Sequence, residues 1–395
     1  MTTAFGSGLI GILETVGQIK RARAMASRFA RRFGASTALF TLVATFGGSS
    51  GQAAGLTIIP TFDASITTDP QAAIIEATIS AAIAAYQTNF SDQITVSINF
   101  VETSSGLGQS SSYLQSFTYA AYRAALASHA ATPDDTTALA HLPNTAANPV
   151  NGNANINLNL PLARALGFSG ANPPAGQSDG TIALNTSMMN LSSSSTNFSK
   201  CSLYAVACHE INEVLGFSSA LDGIANGNPA TTGPISPEDL FRYGTNSARS
   251  FTSDVNAAAY FSLDGINLLA RFNQHQGGDF HDWYSFYGGV TPEVQDAYLS
   301  AGVFPVLGVE LRALDAIGYT RVLPPPPPSL SIARAGGRVV ISWPTNFPGF
   351  TLLTKTSLTS AGSWATSSPA PVILNGFYTV TNSATNASRF YKLIK

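Results

Sequence analysis

Residues 203–217 read Leu203-Tyr204-Ala205-Val206-Ala207-Cys208-His209-Glu210-Ile211-Asn212-Glu213-Val214-Leu215-Gly216-Phe217. The spacing predicts a helix over 203–215. Leu203, Val206, Ala207, Ile211, Val214 and Leu215 form one broad apolar stripe, and Gly216 stops it. His209 and Glu213 are four apart, so they leave the same face one turn apart. Glu210 is offset from His209 by about 100°. Ionised residues on a helix are most often a solvated face. Here they interrupt the most apolar helix of a chain in which only 11% of residues are charged, against roughly 25% in an ordinary soluble domain.

The helix layout suits a metal. Two ligands at i and i+4, with a glutamate after the first as general base, are how a zinc hydrolase helix is built. The second ligand is commonly His and here is Glu213. A carboxylate binds Zn²⁺ at about 2.0–2.2 Å, but it gives the ion more negative charge, so a bound water should be less acidic.

Outward from this helix the pattern is mixed. Residues 56–62 alternate as a strand, 71–86 have helical spacing (Ile74, Ile75, Ile79, Ile83), and 94–101 alternate again through Ile94, Val96, Ile98 and Phe100. Strand, helix and strand predict two parallel strands in one sheet. Residues 112–127 and 135–142 read as helices, 181–185 as a short strand, and 309–317 as a helix closed by Gly318. The fold class is α+β.

The ends differ from this middle. Five prolines, Pro324 to Pro328, favour a stiff extended spacer. Residues 329–395 then alternate in short runs separated by Gly, Pro, Asn and Ser, and hold no His or Cys. They predict a small all-β sandwich. At the other end, Lys20, Arg21, Arg23, Arg28, Arg31 and Arg32 precede a charge-free stretch that lasts until Asp63. Within it lies the 12-residue apolar run 35–46, followed by small residues to Ala53. This reads as a signal peptide, too short in its apolar run for a span of about 20 residues. Met25 offers an alternative start.

Export fits the rest of the composition. Removing those six basic residues and Glu14 from totals of 20 and 22 leaves 14 basic and 21 acidic residues, a net charge of −7. No basic field exists for nucleic acid, and no transmembrane span is expected in the mature chain. Cys201 and Cys208 would sit about 10 Å apart on one helix, beyond disulfide reach, and read as two small buried thiols.

The run Tyr204 to Phe217 resembles the active-site helix of a family of exported bacterial metalloproteases, many with a PEP-CTERM sorting tail, related to the metzincin zinc peptidases. Residues 58–101 resemble the start of a metzincin domain, and 180–185 its edge strand before the active helix. Segments 237–243, 260–265, 278–283 and 311–319 are also similar to the family, so the likeness runs over about residues 55–320. It implies a zincin-like catalytic domain at 54–322, between the signal peptide 1–53 and the linker 323–328, with the β-sandwich module at 329–395.

The resemblance also implies a ligand set. Where a metzincin has its third ligand, this chain has Ser219, and no Met follows Met189 to form a Met-turn. Relatives with an intact H-E-x-x-H helix carry a later His-Trp pair; the matching pair here is Asp282-Trp283, beside His281. The implied ligands are His209, Glu213 and Asp282, with His281 or His275 as alternatives for the third. Zn²⁺ is the expected ion, with Mn²⁺ or Ca²⁺ as alternatives for so hard a donor set. The expected activity is hydrolysis of a protein or peptide substrate by an activated water, with Glu210 as general base. The competing expectation is a degenerate peptidase fold serving as a cell-surface binding protein with a structural cation. Cell-surface association would run through the C-terminal module, which resembles small modules of exported proteins of verrucomicrobial type and lacks a PEP-CTERM-like tail. His129 and His141 read as surface or capping histidines, Asp134-Asp135 as a helix N-terminus, and Asp264-Gly265 as a turn.

Overall fold

The computed structural model describes residues 55–192, 197–225, 232–275, 277–285, 292–324, 326–359, 363–384 and 388–395. The expected signal peptide lies outside the described residues, as does Pro325 of the proline run. The chain divides into two compact units, one ending at Val322 and the other spanning Leu323–Lys395.

The first unit is mixed α+β. It begins with β1 (Thr57–Phe62), α1 (Ala72–Asn89) and β2 (Thr95–Glu102). As the strand–helix–strand order leads one to expect, β1 and β2 are parallel, Thr57 opposite Thr95 through Phe62 opposite Phe100. Helix α1 buries Ile75, Ile79, Ala82, Ile83 and Tyr86, a stripe of helical period. Next come β3 (Gly108–Ser112), β4 (Leu114–Thr118), α2 (Tyr119–His129), α3 (Pro133–Ala140), β5 (Asn155–Asn159) and β6 (Gly180–Leu184). The main sheet has the order β1-β2-β6-β3, with β6 parallel to β2 and β3 antiparallel to β6.

Two expectations need correction. Residues 112–127 are not one helix: β4 pairs antiparallel with β5, Leu114 opposite Asn159, and the helix starts only at Tyr119. The run Ser110-Ser111-Ser112 through Ser116 and Thr118 explains this, because Ser and Thr side chains compete with helical backbone bonds and favour caps. Thr118 does cap, accepting from the Ala121 N–H at 3.2 Å. Nor is 180–185 the edge strand: β6 lies inside the sheet, and the antiparallel edge is β3.

Helix α4 (Leu203–Leu215) packs on α1, β3 and β6, and α5 (Val309–Ile317) follows near the end of the unit. Ser202 caps the N-terminus of α4, and Gly216 ends it at φ 128°, a left-handed position that favours glycine. Buried tyrosines hold the helices in place: Tyr86 Oη donates to the Cys208 carbonyl (2.7 Å), Tyr319 Oη to that of Leu215 (2.8 Å), and Tyr122 Oη to that of Ile317 (3.0 Å). Each such bond contributes about 1 kcal/mol net, and losing one partner costs more. Cys201 and Cys208 are both buried free thiols. No described helix is long and apolar enough to cross a membrane.

The second unit holds two antiparallel sheets. One orders Ser331–Ala335, Arg338–Pro344, Phe377–Ser383 and Val372–Leu374; the other orders Ala365–Thr366, Thr351–Lys355 and Phe390–Ile394. Both contribute to a small core of Ile341, Trp343, Leu352 and Val380.

Candidate metal centre

Helix α4 is buried nearly all round, and its polar residues are no exception: His209, Glu210 and Asn212 have no exposed surface, and Glu213 is 6% exposed. The edge strand β3 covers one side. A Cβ at Gly108 would collide with the Glu210 carboxyl, so glycine is what lets the strand come this close. Two residues on, Ser110 Oγ donates to Glu213 Oε2 at 2.6 Å. The other side is covered by residues 279–283, held down by Trp283, whose ring packs edge-on against Phe217 (5.2 Å) and also against Phe261 and Phe272. The Trp283 backbone N–H donates to the Gln295 carbonyl (2.9 Å), which registers this segment against residues 293–295.

These contacts bring His209, Glu213 and Asp282 together, with one ligand atom from each within 4.8 Å of the others. His281 joins them. Glu213 Oε1 lies 3.3 Å from His209 Nε2 and 3.1 Å from His281 Nε2. Asp282 Oδ1 lies 3.4 Å and 3.6 Å from the same two nitrogens. Ligands bonded at 2.0–2.1 Å to one tetrahedral ion lie about 3.3 Å apart, so this spacing suits a shared cation.

The tautomers point the same way. His209 Nδ1 donates to the Val294 carbonyl (2.9 Å) and His281 Nδ1 to Asp222 Oδ2 (2.8 Å), which directs both Nε2 atoms at the carboxylates. Asp222 also accepts from the Phe280 N–H at 2.6 Å, so its position is set by the same segment it orients. Gln295 Nε2 donates to Asp282 Oδ1 (2.9 Å) while its Oε1 accepts from Asn212 Nδ2 (2.8 Å). Both oxygens of Glu210 lack a hydrogen-bond partner.

Charge in this volume is strongly perturbed. Burial pushes Glu210 well above the usual carboxylate range, and the charge of Glu213 adds to the shift. Burial would also raise Glu213, but hydrogen bonds from His209 and His281 outweigh it and hold it well below that range. Burial opposes protonation of His209, yet Asp282, Glu213 and Glu210 together lift it to about 10. Burial likewise raises Asp282, against the two imidazoles, and pushes Asp279 up to about 8. Without a cation, the protons on the imidazoles hold these carboxylates together. A divalent ion would take over that role and release the protons. The donor set and the unpartnered Glu210 therefore fit a bound metal ion.

No family model, curated protein or solved structure matches this chain.

The remaining expected residues sort cleanly. His281 and Asp282 stand together in the cluster, where the sequence treated them as alternatives for one position. His275 is outside it, exposed and stacked on Tyr284 at 5.6 Å. Ser219 bonds instead to Asp239. Asp134 and Asp135 do open a helix, within a capping box at Thr132, and Gly265 does sit in a turn ordered by Asp264. Sequence reasoning missed Ser110, Asp222, Asp279 and Gln295. Only Asp279 carried a visible signal, being two residues before His281 in a segment already singled out. Glu213, Asp222 and His281 border a cleft of about 200 Å³ that is otherwise lined largely by Ser, Asn and Gly.

Proposed function

We propose that this chain is an exported metal-dependent peptidase in which His209, Glu213 and Asp282 hold a divalent cation, Zn²⁺ or, for so hard a donor set, Mn²⁺ or Ca²⁺, and Glu210 is the general base. The observation that carries the reading is Glu210: a carboxylate with no exposed surface and no partner on either oxygen, one residue from a proposed ligand. Glu238 and Glu310 are equally buried and bare, but Glu210 is the one of the three that adjoins a proposed ligand on the same helix, where hydrolysis needs a base of raised proton affinity. The cation, when bound, supplies Lewis acidity to the scissile carbonyl and lowers the pKa of water toward neutrality. Glu210 takes a proton from the attacking water and returns it to the leaving amine. Ser110 holds the Glu213 carboxylate in its rotamer, Val294 and Asp222 fix the two imidazoles, and Gln295 orients Asp282. Release of the product amine completes the cycle, and the C-terminal unit serves as a spacer or surface-binding module.

One observation favours a second reading, a binding protein with a structural cation. Glu213 Oε1 and Asp282 Oδ1 each lie 3.1–3.6 Å from both imidazole Nε2 atoms, so protein donors crowd the site, and a site closed by protein ligands is the structural form of zinc. Glu210→Gln separates the two. The enzyme reading expects metal content to be kept and turnover on a casein-type substrate to fall about 10²–10⁴-fold. Wild-type protein that binds metal stoichiometrically yet cleaves nothing across a broad peptide library supports the structural reading.

A further inference from the structure

The described residues contain a second group able to hold an ion: Glu213, Asp279 and His281, whose ligand atoms also lie within 4.8 Å of one another. It shares Glu213 with the first group. We propose that the centre holds two divalent cations, one between His209, Glu213 and Asp282 and the other between Asp279, His281 and Glu213, with the Glu213 carboxylate common to both. This rests on the first cation argued above and adds the second.

Three observations carry it. Asp279 is 8% exposed, yet its Oδ2 has no hydrogen-bond partner. A buried carboxylate oxygen left bare is costly unless something positive faces it, and the groups beside it are His281 and Glu213. Second, Glu213 Oε1 stands between the imidazoles, 3.3 Å from His209 Nε2 and 3.1 Å from His281 Nε2. Those two nitrogens belong to different ligand groups. Asp282 Oδ1 lies 3.4 and 3.6 Å from the same pair, but Glu213 is the residue common to both groups and the closer to each nitrogen, so its oxygen is placed to face both ions. Its other oxygen is fixed by Ser110. Third, Glu210, Glu213, Asp222, Asp279 and Asp282 are five carboxyl groups against two imidazoles. No Lys or Arg among the described residues is ion-paired to this cluster, so a cation is the group left to face its bare carboxyl oxygens.

The proposal also gives the H-E-x-x-E sequence a physical reason. An imidazole presents a single lone pair to a metal at Nε2 and can serve one ion, whereas a carboxylate has two oxygens and about four lone-pair sites and can serve two. Glutamate at 213 is the residue that a shared position requires. Asp222 then does for His281 what the Val294 carbonyl does for His209, with one imidazole oriented for each ion.

The test is metal stoichiometry. The full mature chain is stripped with chelator, reloaded with Zn²⁺, freed of excess ion and assayed by elemental analysis, with Asp279→Asn alongside and circular dichroism to verify folding. The expected result is two ions per wild-type chain and one per Asp279→Asn chain. One ion per wild-type chain, or two per Asp279→Asn chain, overturns this proposal and leaves the first cation standing. No ion in the wild type removes both. A measurement independent of the variant is electron paramagnetic resonance of the Mn²⁺-loaded wild type. Two ions sharing Glu213 should give an exchange-coupled spectrum. An isolated six-line signal at full loading overturns the pair.

Discussion

Asp239 and Glu210 are both 1% exposed or less, and the fold treats them in opposite ways. Asp239 is the third residue of the short helical turn at 237–241, which has Ser236 at its N-cap, and its carboxylate accepts from Ser219 Oγ, the Ala220 N–H and the Ser236 N–H. Asp135, at the start of α3, likewise accepts from the Ala131 and Thr132 N–H groups. Glu210 accepts from nothing, and the carboxylates around it face imidazole nitrogens in place of backbone donors. Glu238 and Glu310 share that bare state, so what sets Glu210 apart is its place one residue from His209, inside a cluster of imidazoles and carboxylates.

The sharpest way to break that comparison is His209→Ala. It leaves only carboxylates in the first ligand group, so metal content should fall in elemental analysis and turnover should drop to background; retained metal at full occupancy would mean His209 is no ligand. Glu210→Gln comes next, with the loss of about 10²–10⁴-fold already given and unchanged metal. Chelation should lower the unfolding temperature of wild type and Glu210→Gln equally, since an ion at 1,000 times its Kd contributes about 4 kcal/mol to the native state. Calorimetry showing no shift would detach the ion from the fold.

On the other side of the comparison the effects should be smaller and confined to stability. Asp135→Ala leaves the buried Thr132 N–H and the part-buried Ala131 N–H without an acceptor and should cost about 1–3 kcal/mol in urea unfolding, with metal content and turnover per folded chain unchanged.

The smallest effect concerns Asp315, which burial pushes up to about 7, with Asp135 adding to the shift. Below pH 4 this group is protonated whether the chain is folded or not. Between pH 4 and 7 the folded state keeps a proton that the unfolded state has lost, so stability should fall as pH rises through that window and level off above it. Asp315→Asn cannot ionise, and its urea midpoint should fall less between pH 5 and 8 than that of the wild type. An equal fall in both would show that Asp315 does not set the slope.

Local pattern reached the elements whose periodicity is strong. Helix α4, its end at Gly216, the parallel β1–β2 pair and helix α5 follow from spacing alone, because a buried face must repeat every 3.6 or 2 residues wherever it occurs. Spacing also singled out His209, Glu210 and Glu213, since neighbours one helical turn apart stay together whatever the rest of the chain does. It failed at 112–118, where a run of Ser and Thr leaves the choice between helix and strand to the partner strand at 155–159.

What the helix meets was settled only by tertiary structure. Asp282 and His281 lie about 70 residues from α4, and nothing local says whether one or both reach it. Both do, because Trp283 is buried against Phe217, Phe261 and Phe272 and carries its two predecessors in with it. The same packing brings in Asp279, Asp222 and Gln295, and places Gly108 and Ser110 over the helix from a strand 100 residues earlier. The sequence determined that α4 would present a histidine and two glutamates. Burial of apolar side chains far from it in the chain decided what those groups would face.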